Sequence, residues 1–147
     1  MKVLVFGLPG SGKSTLSQPL AEQLEGVWIN ADAVRKEYND WDFSDEGRMR
    51  QANRMRHLAD GVSMAGKIAI TDFVCPFRAA RVGFNADFTV WMDTIEEGRF
   101  EDTNKIFEKP SKADYIITEW RDREDLMLAP VIQMEFTKWQ KSQSSGT

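Results

Sequence analysis

Gly7, Leu8, Pro9, Gly10, Ser11, Gly12, Lys13 and Ser14 fit the pattern G-x-x-x-x-G-K-[ST] in full, and Thr15 follows them. This spacing suits one task. Glycines let consecutive backbone N–H groups converge into a concave anion nest, and a helix starting at the lysine aims the positive end of its dipole there. Lys13 adds a mobile charge for the β- and γ-phosphates, while the Ser14 hydroxyl is suited to Mg²⁺. The segment reads as the binding loop for ATP, with Lys13 stabilising the transferring phosphoryl group.

Two carboxylates stand where such a loop needs them. Asp32, in Asn30-Ala31-Asp32-Ala33-Val34-Arg35, directly follows an apolar run. It can accept the proton of an attacking hydroxyl or hold the Mg²⁺ hydration shell through water. Capping a helix N-terminus is its alternative use. Asp72 closes a second apolar run, as a Walker-B carboxylate does, and is another candidate for that hydration shell. Cys75, three residues on, reads as a small buried filler rather than a reactive thiol.

Cations and aromatics gather beyond Asp32. The run Trp41-Asp42-Phe43-Ser44-Asp45-Glu46-Gly47-Arg48 leads into a helical pattern that Ser44 or Asp45 would cap. Arg48 and Gln51 head the face that Ala52, Met55 and Ala59 turn towards the core. Polar side chains in that position point to a ligand, whereas Arg54 and Arg56 read as a salt-bridged outer face. Residues 99–112 carry Arg99, Lys105, Lys109 and Lys112 without a helical or strand period. Long irregular loops in compact domains are often functional, and this one is expected to cover bound ATP as a lid.

These side chains need a frame that brings them together. Apolar runs at 3–6, 27–29, 67–71, 88–92 and 115–118 predict five strands, with helices at 13–24, 45–65 and 123–141. Pro130 is expected to kink or split the last helix. Strands alternating with helices predict an α/β domain, three layers around a mainly parallel five-stranded sheet. In such sheets ligands sit at the carboxyl ends of the strands, where the loop, Asp32 and Asp72 all fall. Residues 1–141 read as one P-loop kinase domain and 142–147 as a flexible polar tail.

The 147 residues are 41% hydrophobic and 29% charged, which excludes disorder and collagen-like structure. One Cys allows no internal disulfide, as a cytoplasmic chain would have it. One His removes His-based zinc clusters and disfavours a Ser-His-Asp triad. No apolar stretch approaches the ~20 residues of a membrane span. A net charge of -4 disfavours nucleic acid as a partner. Asn104-Lys105-Ile106-Phe107 lacks the aspartate of the guanine reader N-K-x-D, leaving a small-molecule kinase as the expected class.

The constellation resembles the adenylylsulfate kinase family, from residue 2 to about 94 and more weakly to 118. That family reads G-L-x-G-x-G-K-[ST], then D-G-D-x-x-R, G-F-S, R-x-x-N and F-I-S-P. The counterparts here are Gly7 to Ser14, Asn30 to Arg35, Phe43-Ser44, Arg48 with Gln51, and Phe73-Val74-Cys75-Pro76. The resemblance implies ATP-dependent phosphorylation of the 3′-hydroxyl of adenylyl sulfate, with Asp32 as catalytic carboxylate. It implies that Arg35, Phe43, Arg48 and Gln51 hold that acceptor, Phe43 stacking on its adenine, and that Phe73, Val74 and Cys75 line the same pocket. Arg99 falls to the ATP side. The family's Lys- and Gly-rich lid is replaced by a shorter segment from Gly98 to Lys105. A homodimer is compatible with this reading.

Two other readings stay open. Polynucleotide 5′-kinases share G-x-P-G-S-G-K-S-T and N-x-D-x-x-R, which makes a polynucleotide or nucleoside kinase the alternative. A nonenzymatic NTP-binding regulator would have no need of Asp32 and Arg35 beside the phosphates.

Overall fold

Val3, Leu4, Val5 and Phe6 form an unbroken apolar run, so a strand built from them must be covered on both faces. They make β1 (Lys2–Phe6), the central strand of the computed structural model, which describes residues 1–145. In chain order there follow α1 (Lys13–Gln23), β2 (Val27–Asn30), α2 (Ala31–Tyr38), α3 (Asp45–Met64) and β3 (Ala69–Asp72). The chain then forms α4 (Arg78–Phe84), β4 (Phe88–Met92), α5 (Glu101–Ile106), β5 (Tyr115–Ile117) and α6 (Glu124–Ser145). The sheet order is β2-β3-β1-β4-β5 and every pairing is parallel.

Side chains alternate across β1 and separate the core into two layers. Val3 and Val5 join Leu16 and Leu20 of α1 and Leu128 and Ile132 of α6. Leu4 and Phe6 pack on the other side with Val34 of α2, Met55 and Ala59 of α3, and Phe84 of α4. The result is the expected three-layer α/β/α arrangement, with an entirely parallel sheet. Register fixes the business end: Asn30 pairs with Asp72, and Asp72 with Val5, so the last residues of β2 and β3 lie side by side just before the glycine loop.

Several expectations are corrected. Helices α2, α4 and α5 have no counterpart in the periodicity reading, because elements of six to eight residues span about two turns at most, too few for an apolar stripe to repeat. Pro130 does not split α6, which runs through it. The missing N–H falls on the water-facing side, where Pro130 and Leu126 are exposed and water can serve the orphan carbonyl. Residues 142–145 continue α6 instead of fraying; 146–147 lie outside the described residues.

Candidate active site

The turn from β1 into α1 is built on two glycine positions that no other residue could fill unchanged. Gly7 has φ +154°, and a Cβ there would lie 2.6 Å from the Met92 carbonyl oxygen. Gly12, at φ +101°, would drive a Cβ to 2.7 Å from the Trp120 ring. The backbone therefore passes close beneath β4 and the chain after β5, and then opens α1 with its first N–H groups unpaired by the helix. Lys13 folds back over this loop and donates to the Leu8 carbonyl at 3.0 Å. Burial pushes its ammonium down to about 8, against the attraction of Asp72 and Asp32 and with some repulsion from Arg99. Gly7, Leu8 and Ser11 are buried under the loop, while Pro9, Gly10, Gly12, Lys13, Ser14 and Thr15 face a cleft of about 750 Å³.

The strand ends supply the polar floor. Asn30 caps α2 by accepting from the Ala33 N–H at 3.0 Å. Its amide nitrogen donates to Ser14 Oγ at 3.1 Å and to Asp72 Oδ1 at 3.0 Å. Asp72 is 2% exposed and also accepts from the Trp28 indole at 2.5 Å. Burial pushes its carboxyl up, opposed by those hydrogen bonds and by Lys13. With Asn30 as the cap, Asp32 is released from that duty. It stands exposed on the first turn of α2, lines the cleft and acts electrostatically on Lys13.

The far wall comes from the start of α3 and from residues 99–103. Ser44 caps α3 through the Gly47 N–H at 3.2 Å. Arg48 Nε donates to the Phe43 carbonyl at 2.9 Å, and Nη2 donates to Thr103 Oγ1 at 3.1 Å. Arg48, Phe43, Phe73, Val74 and Arg99 all line the cleft. The segment read as an irregular lid contains α5, and its base is fixed: Asn104 brackets Gly98, accepting from its N–H at 2.7 Å and donating to its carbonyl at 2.9 Å.

Three expected acceptor contacts do not reach the cleft. Arg35 is 5% exposed and donates to the carbonyls of Asp40 and Asp42. Gln51 donates to the Ala31 carbonyl at 3.0 Å, tying α3 to α2. Cys75 is buried behind Phe73 and Val74, its thiol pushed up to about 12 by burial. All three support the wall from behind. Arg54 and Arg56 form the expected outer ion pairs, with Asp40 at 2.7 Å and Asp60 at 3.9 Å.

Trp41, Phe100, Asp102 and Thr103 line the cleft without having been singled out from the sequence. Trp41 and Phe100 carried a readable signal, being large aromatics beside charged residues in loops. Thr103 and Asp102 carried none, since their place depends on how α5 folds back.

The family model for adenylylsulphate kinase matches residues 1–112, which includes the loop, Asp32, Arg48 and the 99–112 segment. The chain belongs to the adenylylsulphate kinase family. It is 32% identical over 126 residues to the adenylyl-sulfate kinase of Bacillus velezensis, covering 82% of this chain and 57% of that protein. The chain thus spans little more than half the length of the curated relatives it matches. The Mycobacterium tuberculosis APS kinase in complex with AMPPNP and APS superposes with a TM-score of 0.75 at 20% identity, over 90% of this chain and 96% of that one. Shikimate kinase from Aquifex aeolicus gives 0.58 at 19% identity, over 95% and 99%. Such distant structural likenesses show the shared kinase fold. Membership of the family rests on the sequence match. No described helix is long and apolar enough to cross a membrane.

Proposed function

We propose that the chain transfers the γ-phosphoryl group of ATP to the 3′-hydroxyl of adenylyl sulfate, giving 3′-phosphoadenylyl sulfate and ADP. The observation that carries this reading is one cleft lined by the phosphate loop, by Asp32 and by an aromatic and cationic wall of Trp41, Phe43, Arg48 and Phe100. A purine carrying about two negative charges needs such a wall. Family membership and the adenylyl-sulfate kinases among its relatives point to the same acceptor.

The loop N–H groups and Lys13 bind the ATP phosphates, and Arg99 adds positive charge from the opposite rim. Asp32 accepts the proton of the acceptor hydroxyl as its oxygen attacks the γ-phosphorus and the bond to the bridging oxygen of ADP breaks. Residues 99–106 close over the nucleotide and exclude water, which strengthens these charge interactions. Among the described residues no cluster of three His, Cys, Asp or Glu could hold a metal alone. The donor set instead fits a hydrated Mg²⁺: the Ser14 hydroxyl would hold it directly, and Asp32 and Asp72 would hold it through water. Mg²⁺, when bound with the nucleotide, neutralises phosphate charge.

A 5′-hydroxyl oligonucleotide would need a cationic track for several phosphates. The arginines that α3 could offer to one are already ion-paired: Arg50 with Asp40 and Asp42, Arg54 with Asp40, and Arg56 with Asp60. Calorimetric titration tests the acceptor assignment. Adenylyl sulfate should bind the protein loaded with a nonhydrolysable ATP analogue, and Arg48→Ala should weaken that binding about tenfold or more, the scale for losing a charged hydrogen bond. Equal affinity in Arg48→Ala contradicts the assignment.

A further inference from the structure

Residues 40–44 lack regular secondary structure, yet Trp41 and Phe43 in this stretch are each 51% exposed and line the cleft. Large apolar rings in an irregular loop gain by folding away from water, so something must hold them out. The holding groups lie behind the loop. The Asp40 carboxylate accepts from Arg50 Nε at 2.8 Å, from Arg54 at 2.7 Å and from the Asp42 N–H at 3.1 Å. Arg35 Nη1 donates to the Asp40 carbonyl at 3.0 Å and to the Asp42 carbonyl at 3.1 Å, the carbonyls of the two residues that flank Trp41. The same guanidinium lies 4.2 Å from the centre of the Phe43 ring. Arg54, in turn, stacks on Tyr38 at the end of α2 at 4.4 Å.

We propose that Asp40 is a positioning residue that locks the junction between α2 and α3, so that Trp41 and Phe43 are presented as a pre-formed platform for the base of the acceptor. Asp40 does not line the cleft, and its side chain is 13% exposed between Arg50 and Arg54. Its carboxylate joins Arg50 and Arg54 of α3 to the loop backbone, whereas the Asp42 carboxylate takes Arg50 and the Ser44 N–H. A platform already fixed before binding spares the acceptor the cost of ordering two rotatable rings. The clamp therefore acts on acceptor affinity and leaves phosphoryl transfer at saturation alone. What the platform holds rests on the acceptor reading above; how it is held does not.

The test uses Asp40→Asn, which keeps the shape and removes the charge, and Arg50→Ala, which opens the clamp from its exposed end. Hydrogen exchange of the unliganded protein should quicken about tenfold at residues 40–44 in Asp40→Asn, as expected when two ion pairs lose their anion and one acceptor oxygen becomes an NH2 group, and less in Arg50→Ala. In steady-state assays KM for adenylyl sulfate should rise about tenfold in Asp40→Asn, with kcat and KM for ATP within about twofold of wild type. Unchanged exchange at 40–44 in both variants overturns the proposal. So does a parallel loss in kcat and in KM for both substrates, the mark of a general structural defect. Should wild-type protein fail to turn over adenylyl sulfate, the acceptor reading fails, and the exchange measurement alone still decides for or against the clamp.

Discussion

The Asn30 side-chain amide holds the Ser14 hydroxyl, donating to its Oγ at 3.1 Å across the gap between β2 and α1. The same nitrogen reaches Asp72 Oδ1 at 3.0 Å, and the amide oxygen caps α2. An amide does what a carboxylate at this position could not, because a carboxylate has no proton to donate and would face Asp72 as a like charge. One side chain thus fixes the hydroxyl proposed for Mg²⁺, the buried carboxylate behind it and the helix that carries Asp32.

Asn30→Ala should accordingly lower stability by about 1 kcal/mol through the lost cap. It should also raise the Mg²⁺ concentration for half-maximal activity about tenfold, the scale of losing a group that orients a metal ligand. Thermal melts and Mg²⁺ titrations check the two effects separately. A lowered Tm with an unchanged Mg²⁺ requirement would leave Asn30 as a cap and nothing more.

Lys13 ties activity to pH. Burial holds its ammonium down to about 8 in the unliganded protein, so the charge that binds phosphate is present below that pH and lost above it. Bound phosphates favour the charged form and raise the value again. The expectation is that kcat/KM for ATP falls as pH rises through about 8. Nucleotide binding above that pH should take up a proton, measurable by titration calorimetry in buffers of different ionisation enthalpy. Lys13→Ala should abolish the proton uptake and lower turnover by orders of magnitude without unfolding the chain.

Asp32→Asn separates chemistry from binding. The side chain keeps its shape and loses its charge, so kcat should fall by about 10²-fold or more, as for other general bases. Affinity for both substrates should move far less, because proton acceptance matters only as the transition state forms. A variant with normal kcat and poor affinity would make Asp32 a binding group.

What could be read from the chain alone was whatever a short stretch of backbone decides. The glycine loop declares itself because the nest, the helix start and Lys13 lie within eight residues, and Asp32 follows because a strand end marks the rim of a parallel sheet. Arg35, Gln51 and Cys75 were assigned to the acceptor and proved to stand behind the wall. Their direction depends on how α2 and α3 cross, a tertiary fact that no local pattern carries. The same holds for Asp102 and Thr103, placed by a six-residue helix without a side-chain cap.

The segment that bears them gives another prediction. Hydrogen exchange across 99–106 should slow when a nonhydrolysable ATP analogue and adenylyl sulfate are both present, as Arg99 and Phe100 close on the cleft. Equal exchange with and without ligands would make the segment a plain connection.

Adenylyl sulfate as the acceptor is open to a direct competition. Purified protein given ATP labelled at the γ-phosphorus and Mg²⁺, with adenylyl sulfate, a 5′-hydroxyl oligonucleotide and a nucleoside panel in competition, should place the label on the 3′-oxygen of adenylyl sulfate. Label on the oligonucleotide or on a nucleoside, with adenylyl sulfate left unmodified, would contradict it.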